Sequence, residues 1–172
     1  PVHWCFKCQT ALAEAEVEYK EKVDPSIYVK FLLKDKLPFL SSELPVYFLI
    51  WTTTPWTLPA NLGVALHPEF TYSFVRIKEE ILLVASDLWE KISKETGQEE
   101  KEVLSTFKGK ELEGLKYIRP FTKKEGRILL ADFVTLDEGT GCVHIAPGHG
   151  EDDYALGLKY NLPIFSPIDD EG

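Results

Sequence analysis

A mainly β fold with a few helices, an α+β chain whose strands curve into an antiparallel or mixed β-barrel, is what this sequence predicts. Three observations predict it. Short apolar runs rich in β-branched and aromatic residues recur along the chain, Pro, Gly or charged pairs punctuate them, and only two stretches carry helix-start signals. The 172 residues are 44% hydrophobic, enough for one sizeable core but too little for two, so a single domain over 1–172 is expected.

Taken in order, Ala13, Ala15, Val17 and Tyr19 alternate with Glu14, Glu16 and Glu18, and Ile27, Val29, Phe31 and Leu33 alternate again after Asp24-Pro25-Ser26. This predicts a β-hairpin. Ala and Glu also favour a helix over 11–22, but the strict period of two argues for strand. Residues 45–51, 62–66, 72–77 and 81–85 read as consecutive strands, followed by a helix over 88–96 with Ser86-Asp87 at its N-cap and Gly97 closing it. Further strands are expected at 102–107, 127–133 and 142–146. A second helix should start near Asp152-Asp153 and run to about Tyr160, with Tyr154, Leu158 and Leu162 on one face.

The formal net charge is −9 and the pI about 5.0, the wrong sign for a domain that grips nucleic acid mainly through its phosphates. The expected chain is soluble and monomeric, with no export signal and no run of about 18 apolar residues to enter a membrane. It contains no Met, which reads as a piece of something longer. Three cysteines make no even-numbered disulfide framework, and a reducing, cytoplasmic setting is expected. Cys5 and Cys8 have metal-ligand spacing but supply only half the ligands of a structural zinc.

Two segments use polar residues, Gly and Pro where a plain strand or turn needs none. The first is Trp51-Thr52-Thr53-Thr54-Pro55-Trp56-Thr57-Leu58-Pro59-Ala60-Asn61, whose hydroxyls on a stiffened chain can form a polar lip. In the second, Gly139-Thr140-Gly141-Cys142-Val143-His144-Ile145-Ala146-Pro147-Gly148-His149-Gly150-Glu151-Asp152-Asp153, a strand ending in His144 turns through glycines into a helix that starts with three acids. Acids in a first helical turn are ordinary local stabilisers. One held in a cleft repels phosphate but attracts an ammonium group.

Together the two segments resemble the editing domain inserted into isoleucyl-tRNA synthetases, and the flanks 1–19 and 160–172 resemble it too. Thr54 and His144 stand where the related valyl and leucyl domains typically carry Arg and, in the valyl case, Lys. The resemblance implies that the domain removes valine from isoleucine tRNA by ester hydrolysis without a cofactor, and that it sits in a larger enzyme, with 1–10 and 165–172 near the junctions with the catalytic body. It implies that Thr52, Thr53 and Thr54 line the site of the terminal adenosine ester and its attacking water. Trp56, Thr57 and His144 would shape the side-chain pocket, Asn61 would support the threonine loop, and Asp153 would hold the substrate ammonium. His149 and Asp152 are assigned to loop structure and helix capping. A second cysteine pair in the parent enzyme would complete a zinc site with Cys5 and Cys8.

Two other classes compete. A metal-dependent hydrolase would use His144, His149, Asp152 and Asp153 as ligands. A non-catalytic RNA-binding module is disfavoured by the charge and by the absence of basic-aromatic clusters.

Overall fold

A computed structural model of the chain describes residues 2–40, 43–98 and 102–172; Pro1 of the predicted junction segment 1–10 lies outside them. The elements in chain order are β1 (His3–Cys5), β2 (Thr10–Leu12), β3 (Ile27–Leu32), β4 (Val46–Thr52), β5 (Gly63–Leu66), β6 (Thr71–Ile77), β7 (Glu80–Ala85), α1 (Trp89–Thr96), β8 (Glu102–Lys108), β9 (Lys116–Ile118), β10 (Glu125–Leu130), β11 (Val143–Ile145) and α2 (Glu151–Lys159). They form a five-stranded sheet of order β3-β4-β7-β6-β8, a four-stranded sheet of order β11-β5-β10-β9, and the small pair β1-β2. A single bridge between Leu33 and Tyr117 joins the two larger sheets. The mainly β, α+β class is as predicted, but no closed ring of strands exists among the described residues.

The apolar runs become strands because both faces of the central ones are covered. Phe48, Leu49 and Ile50 of β4, Phe74 and Val75 of β6 and Leu82, Leu83 and Val84 of β7 are all buried, and each such side chain contributes about 1.5–3 kcal/mol on leaving water. A second, smaller cluster sets Leu129 of β10, Ile145 of β11 and Ala65 of β5 against Leu156 of α2. This contact fixes α2, and with it the acids of its first turn, beside the end of β11. Among the described residues no helix is long and apolar enough to cross a membrane.

The predicted hairpin of 13–19 with 27–33 is not formed. Glu14–Glu16 is a 3-10 turn, its Glu16 carboxylate accepting the Ala13 N–H at 2.7 Å, and Tyr19 is 82% exposed. Alternation with Ala at two of four positions leaves no apolar face to bury, so the local hydrogen bond prevails. β3 pairs instead with β4, from Ile27 opposite Thr52 to Leu32 opposite Tyr47. Ser86 and Asp87 do not cap α1. They belong to a short 3-10 turn, and the Ser86 hydroxyl meets that of Ser73 at 2.7 Å. Gly97 does end the helix, with φ of 66°. The strand expected over 127–133 stops at Leu130. In α2 the buried positions are Leu156 and Gly157, whereas Leu158 is 56% exposed. The short strands β1, β2 and β9 are not among the predicted ones.

Candidate active site

Thr52 closes β4, and the chain then turns through the 3-10 helix Pro55–Ala60. The turn is stitched by its own hydroxyls. Thr54 N–H donates to Thr52 Oγ1 at 3.1 Å, and the Thr57 hydroxyl donates to the Thr54 carbonyl at 2.9 Å. Thr52 and Thr57 are buried, while Thr53 and Thr54 are exposed. They line a cleft of about 500 Å³ together with His144, His149, Asp152 and Asp153. The far side of the cleft is the turn 139–142, where Gly139 and Gly141 both have φ of 74°. A Cβ on Gly141 would stand 2.4 Å from Ala85 Cβ, so glycine there meets both a left-handed backbone and a close approach.

His144 is held by a chain of hydrogen bonds whose direction can be worked out atom by atom. Tyr117 OH donates to Asn61 Oδ1 at 2.6 Å, Asn61 Nδ2 donates to Gly63 O at 2.8 Å, and Asn61 Nδ2 also lies 2.9 Å from His144 Nδ1. A carbonyl can only accept, so the amide nitrogen must face Gly63 and its second proton must point at the imidazole. Nδ1 therefore accepts, which leaves the ring proton on Nε2. That nitrogen lies 2.9 Å from Thr57 Oγ1, whose own proton is committed to Thr54. Burial, with His149 nearby, pushes the His144 pKa down to about 4, so at neutral pH the ring is uncharged and of one tautomer, with both nitrogens hydrogen-bonded. Asn61, fully buried, is the hub. Tyr117, which the sequence reading did not single out, starts the chain. An apolar-strand Tyr needs a hydroxyl partner when buried, but nothing in sequence names a partner 56 residues away at the end of a 3-10 helix.

Across the loop, Asp153 Oδ2 accepts the Ala146 N–H at 2.9 Å. Burial raises the Asp153 pKa, the Ala146 hydrogen bond counters it, and the neighbouring Asp152 raises it further. The carboxylate is thus under-solvated and favours a cation. The N-cap of α2 is Gly150 and no side chain caps the helix, so Asp152 does not cap it; Asp152 and His149 both line the cleft. His149 N–H closes a turn on Ala146 O at 2.9 Å, but its Nε2 is buried without a partner.

Of the predicted site residues, Thr52, Thr53, Thr54, Thr57, His144 and Asp153 come together in the cleft. Asn61 lies beneath it. Trp56 does not line it: the indole is 59% exposed, meets the His149 ring edge-on at 5.3 Å, and borders a separate cavity with Trp4 and Phe6. The metal-hydrolase reading loses its ligands, because both His144 nitrogens are engaged and no group of three metal-binding side chains occurs among the described residues. Cys142 is buried, with its thiol pushed above the usual range by desolvation, which makes it a poor nucleophile. What remains is a water-sized chemistry of hydroxyls, a neutral imidazole and carboxylates, of which Asp153 is the desolvated one.

A mainly β domain with this cleft at a strand end belongs to a known class, the editing domains of aminoacyl-tRNA synthetases. The crystal structure of GlLeuRS-CP1 matches with a TM-score of 0.68 at 20% identity, covering 84% of this chain and 70% of that one. The P. knowlesi cytosolic leucyl-tRNA synthetase editing domain matches at 0.63 and 16% identity, covering 76% and 61%. The family model described as leucyl-tRNA synthetase, editing domain, matches residues 36–172, and the chain belongs to that family. Isoleucine–tRNA ligases are among the chain's similar relatives. An isoleucine–tRNA ligase from Thermotoga neapolitana is 55% identical over the whole of it, and the chain spans about 18% of that relative's length.

Proposed function

We propose that this domain hydrolyses the ester joining valine to the terminal adenosine of isoleucine tRNA, correcting an error after transfer. The observation that carries the reading is one cleft holding a neutral, hydrogen-bonded imidazole and a desolvated carboxylate. Asp153 binds the α-ammonium of the aminoacyl group, since a carboxylate short of solvent gains most from a fixed cation. Thr52, Thr53 and Thr54 position the ester and the attacking water, and an aminoacyl ester is already activated enough for orientation and oxyanion stabilisation to suffice. His144, with both nitrogens engaged and a pKa far below neutrality, serves as a wall and not as a general base.

The chemical need for such a site is the small free energy of one methylene, about 1–3 kcal/mol, a limit for which isoleucine against valine is the standard worked case. A second, smaller pocket that admits valine and excludes isoleucine resolves it. The hydrolysis itself needs no cofactor. Cys5 and Cys8 belong to the same proposal as half of a structural zinc site, the Cys8 N–H already donating to Cys5 Sγ at 3.4 Å in the turn between β1 and β2. Two further ligands would come from the parent enzyme, a cytoplasmic monomer whose catalytic body adjoins the domain.

The test is deacylation of isoleucine tRNA charged with valine and, separately, with isoleucine. Valine should be released and isoleucine retained; release of neither would overturn the reading.

A further inference from the structure

The acidic balance of the chain is unevenly spread. Six of its 19 cations, Lys34, Lys116, Arg119, Lys123, Lys124 and Arg127, fall in residues 34–35 and 116–127, where the only acids of the 28 are Asp35 and Glu125. The fold brings these segments together. Lys34 N–H donates to Lys116 O at 2.8 Å, Lys116 N–H donates to Asp35 Oδ2 at 2.7 Å, and the Lys34 and Lys116 side chains both pair with Glu125. Lys116 and Arg127 face each other across β9 and β10.

The turn between those strands carries the unpaired charge. Arg119 N–H donates to Lys124 O at 3.0 Å, and Phe121 stands at the tip with φ of 58° and 80% of its surface exposed. Lys123 and Lys124 are exposed and form no ion pair among the described residues. Arg119 Nε is buried without a hydrogen-bond partner, and its side chain lines a cavity of about 350 Å³ with Lys116 and Arg127. Free cations flanking an exposed aromatic ring suit one class of ligand, single-stranded nucleic acid, whose phosphates meet the cations while a base stacks on the ring.

Position supports the same partner. β9 is one edge of the four-stranded sheet and β11, bearing His144, is the other. Neighbouring strands lie about 4.8 Å apart, which puts β9 about 14 Å from the cleft's histidine strand across the sheet. We propose that the β9–β10 hairpin binds the RNA backbone just upstream of the charged adenosine, with Phe121 stacking on an unpaired base. This rests on the reading of the chain as acting on an aminoacylated RNA.

Binding of uncharged isoleucine tRNA, measured against salt, tests it independently of hydrolysis. Lys123→Glu with Lys124→Glu should weaken binding tenfold or more and lower the slope of log affinity against log salt by about 2. Phe121→Ala should weaken binding about tenfold with the slope unchanged. The control is Lys20→Glu with Lys22→Glu, an equal charge change at exposed positions outside any strand or helix, which should stay within about twofold of wild type. Hairpin variants that bind tRNA as the control does would overturn the proposal and return the surface to solubility or protein contact. Should wild type bind tRNA through the hairpin yet hydrolyse no valyl ester, the catalytic reading fails and the binding surface stands.

Discussion

The two walls of the cleft are built on opposite terms. On the threonine side, from Thr52 to Asn61 with His144 and Tyr117 behind, the side-chain network closes on itself through Tyr117, Asn61, His144, Thr57 and Thr54. On the other side, from Ala146 to Asp153, a carboxylate is desolvated and raised in pKa, and a buried imidazole nitrogen has no partner. A satisfied network holds shape and contributes stability. An unsatisfied one costs stability, and a ligand can return what was lost. Under the proposed function, the threonine wall sets the size of the pocket and the acid wall supplies the attraction.

The largest effect should come from breaking the acid wall. Asp153→Ala removes the partner of a buried cation, about 2–5 kcal/mol or on the order of a hundredfold or more in kcat/KM for valyl-tRNA. Circular dichroism should show an intact fold. Asp153→Asn sharpens the contrast. A carboxyl whose folded pKa is raised contributes stability at low pH and loses it as pH rises through that pKa, so the Asn variant should be inactive yet melt higher than wild type at neutral pH. A lower Tm there would mean that the carboxylate stabilises its loop.

Breaking the threonine wall should do the reverse. Asn61→Ala strands the Tyr117 hydroxyl, His144 Nδ1 and Gly63 O, and should destabilise the fold by about 3–5 kcal/mol in urea titration. Loss within about 1 kcal/mol would show that the network is dispensable.

The imidazole itself gives a pH signature. Its folded pKa is about 4 against 6.5 unfolded, so its stabilising contribution is complete above 6.5 and is lost as pH falls through about 4, a difference worth about 3 kcal/mol. His144→Ala should flatten that part of the stability profile. It should also admit isoleucine, relieving a clash of about 1–3 kcal/mol, so that isoleucyl-tRNA is cleaved while valyl-tRNA hydrolysis falls less than in the Asp153→Ala variant. Isoleucyl-tRNA left intact with valyl-tRNA hydrolysis unchanged would take the sieve away from His144. Smallest of all, Cys5→Ser with Cys8→Ser should change the activity of this domain little, as neither cysteine lines the cleft.

Much of the acid wall was legible in the sequence, because its elements are local: a strand, a glycine turn and a helix follow one another in the chain. The threonine wall was legible only in part. Its strand and hydroxyls could be read, but Trp56 turned outward because the 3-10 helix buries Thr57 and Leu58 instead, and the Tyr117–Asn61 bond joins a strand to a helix end far apart in sequence. The basic cluster is different. Lys116 to Arg127 is a contiguous stretch rich in basic and aromatic residues that contradicts the expected absence of such clusters, and only the fold shows that the hairpin sets Lys34 beside it and leaves Phe121 at the tip. The hairpin expected at 13–33 failed for the converse reason, since alternation without apolar bulk has no face to bury.

Gly126 on β10 touches no part of the cleft. A Cβ there would stand 2.3 Å from the Tyr117 ring and 2.4 Å from its hydroxyl, the atom from which the histidine's proton placement descends. Under the proposed function, a larger residue here would therefore register as a loss of editing, with the lesion mapping to a buried strand position that lines no part of the cleft.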